Sequence, residues 1–288
     1  MRFSEFIAIG LQDLFKTGII RAILRHVTGD VAQALVIGAG FLLCILCAYL
    51  LGSINTALIV SKCFFHDDVR EHGSGNAGTT NVLRTYGKKP AIVTFVGDSL
   101  KGVLAVLFAC ILFGHPINEY PYFHLITAAY LSAFFCIFGH IFPIFSHFRG
   151  GKGFATLTGV VLVLNPFLFM ILLVFYLSMV LLSHFISLSS VVVALFYPLM
   201  LSVVTKITSL HLPFGTDVLF AVAAGVLIAW AHRSNLRRIF EGNERKFYLR
   251  KPKVVESVSA EPQDGYEPEE ESDEAADAPA DSGEDAQA

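Results

Sequence analysis

Long apolar runs leave this chain few ways to fold. A helix that crosses a bilayer needs about 20 mostly apolar residues, because its backbone must satisfy its own hydrogen bonds where no water reaches. Such runs occur at 31–51, 90–113, 123–146, 166–185, 187–205 and 214–231, with a shorter one at 154–164. The short run ends at Asn165-Pro166, a turn signal, since proline blocks continuation and biases the residue before it away from helix. That run is therefore a short or tilted span, or the first half of a broken helix. The expectation is an all-α integral membrane protein with about seven transmembrane helices, one of them short, and cytoplasmic glycine-rich loops.

Composition agrees and divides the chain. Of 288 residues, 54% are hydrophobic and 16% charged, against about a quarter charged in soluble domains. Thirteen of the 24 acidic residues follow Lys253, beyond which there is no Lys or Arg. The remaining body carries 21 basic and 11 acidic residues. Three regions follow: an N-terminal extension over 1–30, a polytopic body over 31–250 and an acidic tail over 251–288, which should be disordered. Residues 1–30 carry both charge signs and lack the apolar core and small-residue site of a cleavable signal peptide. Phe3, Phe6, Ile7, Leu14 and Phe15 there suit an amphipathic helix lying in the interface.

Basic residues orient the spans. Lys62, Arg70, Arg84, Lys88, Lys89, Arg149, Lys152 and the eight Lys and Arg of 233–253 fall on one side of a seven-span chain. Between spans, the other side has only Lys206; Arg2, Lys16, Arg21 and Arg25 of the extension oppose the trend but are outvoted. The basic side is expected to be cytoplasmic. Cys44 and Cys47 form a C-x-x-C inside an apolar run, without a second pair or a nearby His. They read as small membrane-buried residues rather than a metal or redox site.

Three polar motifs lie on the basic side. In the first, Gly73-Ser74-Gly75-Asn76-Ala77-Gly78-Thr79-Thr80-Asn81 precedes Arg84. Glycines let the backbone approach a ligand, successive amides can cradle an anion, and arginine grips phosphate with two hydrogen bonds. The same composition also suits a plain surface turn, and no Walker Gly-Lys-Ser/Thr follows. The second motif, Arg149-Gly150-Gly151-Lys152-Gly153, stands where a helix should begin, so free amides and the positive helix end would face it. A flexible turn with orienting charges is the plainer reading. In the third, His232 and Asn235 share a helix face at i and i+3, followed by basic residues and Glu244. A juxtamembrane helix on anionic lipid fits equally well. Asp98 and Lys101 lie inside an apolar run, also at i and i+3. Charges there are costly, so they should pair, with support of a loop as the further reading. Ser187, Ser189 and Ser190 sit at a helix end, where packing alone explains serine. No metal spacing and no nucleophile elbow occurs.

The order of the motifs says more than any one of them. Gly52-Ser53-Ile54, the run GSGNAGTTNVLR at 73–84, Asp98-x-x-Lys101-Gly102, Gly139-His140-Ile141-Phe142-Pro143, GGKGFAT at 150–156 and His232-x-x-Asn235 together resemble the bacterial acyl-phosphate glycerol-3-phosphate acyltransferases, the PlsY family. The likeness covers about residues 48–248; Asn55, Ala77 and Phe154 depart from the usual pattern without removing a polar group.

The resemblance implies a seven-span enzyme of the bacterial inner membrane with an outward N-terminus. It would transfer a fatty acyl group from acyl phosphate to the 1-hydroxyl of glycerol-3-phosphate, giving lysophosphatidic acid and phosphate. Implied partners are glycerol-3-phosphate, long-chain acyl phosphate, membrane lipid and an enzyme that forms acyl phosphate. No cofactor, metal or nucleic acid is implied, and the chain is expected to be monomeric. No His is followed by Asp across four intervening residues, the pair that marks CoA-dependent acyltransferases. By motif position, Ser74, Arg84, Lys152, His232 and Asn235 carry the reaction. Gly73, Gly75, Asn76, Gly78, Thr80, Asn81, Lys101, Arg149, Gly150, Gly151, Gly153 and Ser190 bind substrate, and Asp98 and Glu244 are structural. Acyl phosphate is an activated mixed anhydride, so direct transfer needs mainly positioning and charge stabilisation. The proton acceptor is either the substrate phosphate or His232. A transporter of phosphorylated solutes is the competing class, but no repeat relates the two halves and the motifs cluster at one face, not at mid-membrane.

Overall fold

A computed structural model of the chain describes residues 18–114, 122–207 and 215–248. The expected amphipathic segment with Phe3 to Phe15 and the acidic tail lie outside the described residues. Among those residues every regular element is helical. They are α1 (Ile19–Leu24), α2 (Asp30–Ser53), α3 (Thr56–Phe65), α4 (Thr79–Tyr86), α5 (Lys88–Phe113), α6 (Tyr122–Ile141), α7 (Phe154–Leu164), α8 (Pro166–Ser183), α9 (Ile186–Ile207), α10 (Thr216–Ala231) and α11 (Arg233–Phe240), with single 3₁₀ turns after α3 and α6.

Five stretches are long and apolar enough to cross a membrane: Asp30–Phe65, Lys88–Phe113, Ile126–Ser146, Pro166–Ser183 and Ile186–Ile207. A sixth arises if α10 and α11, bent by 55° where they meet, are taken together. Each of the seven expected runs is a helix, but α7 and α10 are too short to qualify alone. Large apolar side chains stay exposed along α2, α5 and α8, among them Leu35, Ile92, Val174 and Leu182. Such a surface would aggregate in water; against lipid tails it is matched to its solvent.

The breaks follow from local chemistry. Asn165 caps α8 by accepting from the Leu168 N–H at 3.0 Å, and Pro166 supplies the first helical turn, where its missing N–H costs nothing. This is what divides the apolar stretch after 153. Asn55 likewise caps α3, accepting from the Leu58 N–H at 3.1 Å. The expected loop 73–81 is partly helical. Only residues up to Gly78 are irregular, and Thr80, Asn81 and Arg84 ride on α4, whose Asn81 and Val82 are buried.

Small residues let the bundle close. A Cβ on Gly159 of α7 would stand 1.9 Å from the Ser99 carbonyl oxygen of α5, and one on Gly102 of α5 would stand 2.5 Å from that of Thr156. The two backbones are therefore in contact, and the Ser99 hydroxyl donates across the gap to the Ala155 carbonyl at 3.0 Å. Close backbone contact is how helices associate where lipid removes the hydrophobic drive. Gly159→Ala should destabilise the purified protein by roughly 1–3 kcal/mol, as overpacking does, read as a lower thermal midpoint in detergent. Gly38→Ala, with nothing within 4 Å of the new methyl, should leave the midpoint unchanged or raise it.

Candidate active site

Residues from α4 and the loop before it, from α5, α8 and α11, from the end of α6, the starts of α7 and α9 and the junction after α10 line one space. A cavity of about 170 Å³ lies there. Its walls include Ser74, Asn76, Gly78, Thr80, Asn81, Arg84, Lys152, Gly153, Ser190, His232 and Asn235. Residues from all three motifs are thus brought to one space.

The first loop is folded by its own asparagine. Gly73 and Gly75 turn with φ of 61° and 68°, a region that side-chain-bearing residues avoid. Asn81 sits behind them, its Oδ1 accepting from the Ser74 N–H at 2.9 Å and its Nδ2 donating to the carbonyls of Val69 and His72 at 2.7 and 3.0 Å. With both amide hydrogens taken, Asn81 shapes the loop and has no donor left for phosphate. Arg84 makes no hydrogen bond to a carboxylate among the described residues and lines the cavity half-buried. Burial draws its guanidinium below the ordinary value; Glu244 opposes this, and Arg245 and Arg238 add to it.

α7 begins at Phe154, with Gly153 as its N-cap and Lys152 just before that cap. The bend between α10 and α11 brings Asn235 to it, and the Lys152 ammonium donates to the Asn235 Oδ1. Glu244 dictates which way that amide faces. Its Oε1 accepts from Asn235 Nδ2 at 2.8 Å and from the Ser187 hydroxyl at 2.9 Å, while its Oε2 accepts from Arg238 Nε at 2.8 Å. Burial alone would push the Glu244 carboxyl up, but hydrogen bonds from Asn235, Arg238 and Ser187 outweigh it and hold the group below its usual value. A buried, ionised Glu244 thus forces the Asn235 oxygen toward Lys152. Lys152 itself is pushed down to about 8, by burial first and by Arg238 and Arg84, with Glu244 partly opposing.

His232 follows α10 directly. Its Nδ1 lies 2.8 Å from the Ile228 carbonyl, so Nδ1 carries the hydrogen and Nε2 is left as an acceptor. Burial and the nearby Lys152 lower its pKa to about 4. The ring is therefore neutral near pH 7, a hydrogen-bond acceptor and a weak base.

Other expected residues are placed elsewhere. Lys101 does not line the cavity: its ammonium donates to the Gly52 and Ile54 carbonyls at 3.1 and 2.9 Å and lies 3.0 Å from Asp98 Oδ1. All three donors are spent on protein, so it fastens α5 to the end of α2 instead of meeting phosphate. Gly75, Arg149 and Gly150 line a separate surface recess with Asp68, Arg70, Glu71 and His147, and Gly73 and Gly151 stand behind the cavity wall. Glu244 lies behind Asn235, accepting from its amide. Thr79, Ser187 and His140, named among the motifs above but given no site role, line the cavity, as do Asp98, expected to be structural, and Tyr176, which no motif marked. Ser187 was legible as the residue one turn before Ser190, on the same helix face.

A second, apolar cavity of about 90 Å³ adjoins the first, sharing Phe95, Phe154 and Tyr176 with it. Leu157, Val161, Phe169, Leu172, Leu173 and Val193 continue it between α7, α8 and α9. The polar chamber thus shares a wall with a hydrocarbon-lined one inside the membrane body.

Comparison with known proteins supports one family. The family described as glycerol-3-phosphate acyltransferase matches residues 42–242. Glycerol-3-phosphate acyltransferases of Clostridioides difficile and Thioalkalivibrio sulfidiphilus are each 39% identical, over 71% and 75% of this chain and 94% and 93% of their own lengths. That of Streptococcus thermophilus is 41% identical over 69% of this chain and 89% of its own. A crystal structure of PlsY, an integral membrane glycerol 3-phosphate acyltransferase in its glycerol 3-phosphate form, matches with TM-score 0.62 and 33% identity, covering 72% of this chain and 96% of that one. Its lysophosphatidic acid form matches with TM-score 0.60 and 32% identity, covering 72% and 95%. On this evidence the chain belongs to the glycerol-3-phosphate acyltransferases, as a multi-pass membrane enzyme of the PlsY family.

Proposed function

We propose that the acyl donor is a long-chain acyl phosphate and that the acyl group passes directly to the 1-hydroxyl of glycerol-3-phosphate. The observation that carries this reading is the junction of a small cation-lined chamber with an apolar one. The donor has that shape, a compact anionic head on a hydrocarbon chain. A cavity of about 170 Å³ suits such heads, whereas a nucleotide-bearing donor would leave most of its bulk outside. The two PlsY structures, in glycerol 3-phosphate and lysophosphatidic acid forms, support the acceptor and product.

In this reading Arg84 and Lys152 hold the phosphates, with Ser74, Asn76, Gly78, Thr80, Gly153 and Ser190 completing the wall. Asn235 positions Lys152, and His232 accepts a hydrogen bond from the glycerol moiety. The acyl chain lies along Phe154, Leu157 and Leu172. The acceptor oxygen attacks the acyl carbonyl carbon, the carbon–oxygen bond to phosphate breaks, and inorganic phosphate leaves. The hydroxyl proton goes to a phosphate oxygen, since a histidine near pKa 4 is a poor match to neutral pH. Ser74 binds and forms no acyl-enzyme. The site faces the cytoplasm of a bacterial inner membrane, from which glycerol-3-phosphate enters; the chain acts as a monomer supplied by an acyl-phosphate-forming enzyme.

Purified protein in detergent, given palmitoyl phosphate and glycerol-3-phosphate, should release phosphate and lysophosphatidate in equal amounts. Turnover with palmitoyl-CoA in its place, or acylated protein accumulating without acceptor, would contradict the reading. Arg84→Ala and Lys152→Ala should each lower kcat/KM by about 10²-fold, the scale of losing one preorganised charge donor. The pH profile follows from the sign of the Lys152 shift: the ammonium binds phosphate, and it is lost as pH rises through about 8. Wild-type kcat/KM should fall about tenfold per pH unit above that point, and the decline should vanish in Lys152→Arg.

A further inference from the structure

Beneath the cavity lies a buried charged group that the chemistry above does not use. Asp98 and His140 are 1% and 3% exposed, on α5 and at the end of α6, and both line the cavity floor. Asp98 Oδ1 is 3.0 Å from the Lys101 ammonium and 3.6 Å from His140 Nδ1. The second distance is too long for a hydrogen bond, but at this depth a carboxylate still attracts the N–H edge of the ring strongly. It turns Nδ1 toward α5 and leaves Nε2 and Cε1 against the second glycine loop.

That loop rests on His140 at three points. The Gly151 N–H donates to the His140 carbonyl at 3.0 Å. A Cβ on Gly150 would fall 2.0 Å from that same carbonyl oxygen, and one on Gly151 would fall 2.1 Å from His140 Nε2. The same imagined Cβ would stand 2.9 Å from the Ala77 carbonyl of the first loop. Gly151 is therefore packed closely against the imidazole edge and the first loop, and Lys152 is the next residue along. The two glycines are small because a histidine occupies the space, a reason separate from phosphate approach.

We propose that Asp98 and His140 are positioning residues: the carboxylate, held by Lys101, orients the imidazole, and the imidazole seats Gly151 so that Lys152 projects into the cavity. Lys101 links this support to the end of α2 through Gly52 and Ile54, so one buried cation braces the helix junction and the loop together. The inference rests on the phosphate-holding role of Lys152, but its test reads coupling between other positions and can fail separately.

The test is a double-mutant cycle between positions 140 and 151, scored by kcat/KM with acyl phosphate and glycerol-3-phosphate. Gly151→Ala alone should cost about tenfold or more, because its methyl meets the ring. In a His140→Ala background the same change should cost at least about threefold less, a coupling expected of residues in contact. His140→Asn is run in parallel, since its amide nitrogen keeps a donor at the Nδ1 position for Asp98 while removing the edge that meets Gly151. It preserves the buried pair if His140→Ala does not fold. A second readout separates positioning from mere packing. With its loop unseated Lys152 gains water, so the alkaline limb of kcat/KM in His140→Asn should move above its wild-type position, with Arg84, Arg238, Glu244 and His232 still facing the ammonium. Equal costs of Gly151→Ala in both backgrounds, or an unmoved alkaline limb, would overturn the inference while leaving the role of Lys152 intact.

Discussion

A partly buried ammonium resting on a neutral partner organises this site. Lys152 is drawn out of water, and its hydrogen bond goes to the Asn235 amide oxygen, not to a carboxylate. The nearest carboxylate, Glu244, is spent on Asn235, Ser187 and Arg238. Among the described residues no carboxylate hydrogen-bonds Lys152 or Arg84, and both line the cavity. In low dielectric such charge is costly unless an anion arrives. In the proposed reading phosphate binding would relieve that cost; burial, with Arg238 and Arg84, is what draws Lys152 low in the free protein.

The rest of the structure can be seen as what holds that ammonium in place. The break at Asn165-Pro166 allows α7 to be short, so its first turn and Lys152 sit at the bundle end. Contact of the α5 and α7 backbones at Gly102 and Gly159 sets the depth of that turn. The bend between α10 and α11 supplies Asn235. The apolar chamber is lined by Phe154, two residues beyond Lys152, so in the proposed reading one continuous segment would grip both hydrocarbon and phosphate. An enzyme that joins a lipid-borne group to a water-soluble one needs that adjacency.

Much of this was legible in the sequence, because lipid leaves few alternatives. Apolar length located the helices, and Asn165-Pro166 marked the break within a few residues. What failed was assignment of polar groups whose chemistry serves two purposes. An ammonium donates to a backbone carbonyl as readily as to phosphate, so Lys101 gave no local sign that Gly52 and Ile54 would take it. An asparagine amide folds a loop as well as it binds an anion, and Asn81 does the former. His140 and Ser187 were given no site role for the opposite reason, since a histidine or serine at a helix end is ordinary until the fold shows what it faces. The apolar chamber was hidden too: residues lining it and residues facing lipid have the same hydropathy.

The measurement closest to the central claim is calorimetric binding of glycerol-3-phosphate to the purified protein in detergent, in buffers of different ionisation enthalpy. If phosphate relieves the uncompensated ammonium, binding above pH about 8 takes up close to one proton per site, and that uptake disappears in Lys152→Met. Binding with no proton uptake in the wild type, or uptake that persists without Lys152, would show that the cavity does not hold phosphate in this way.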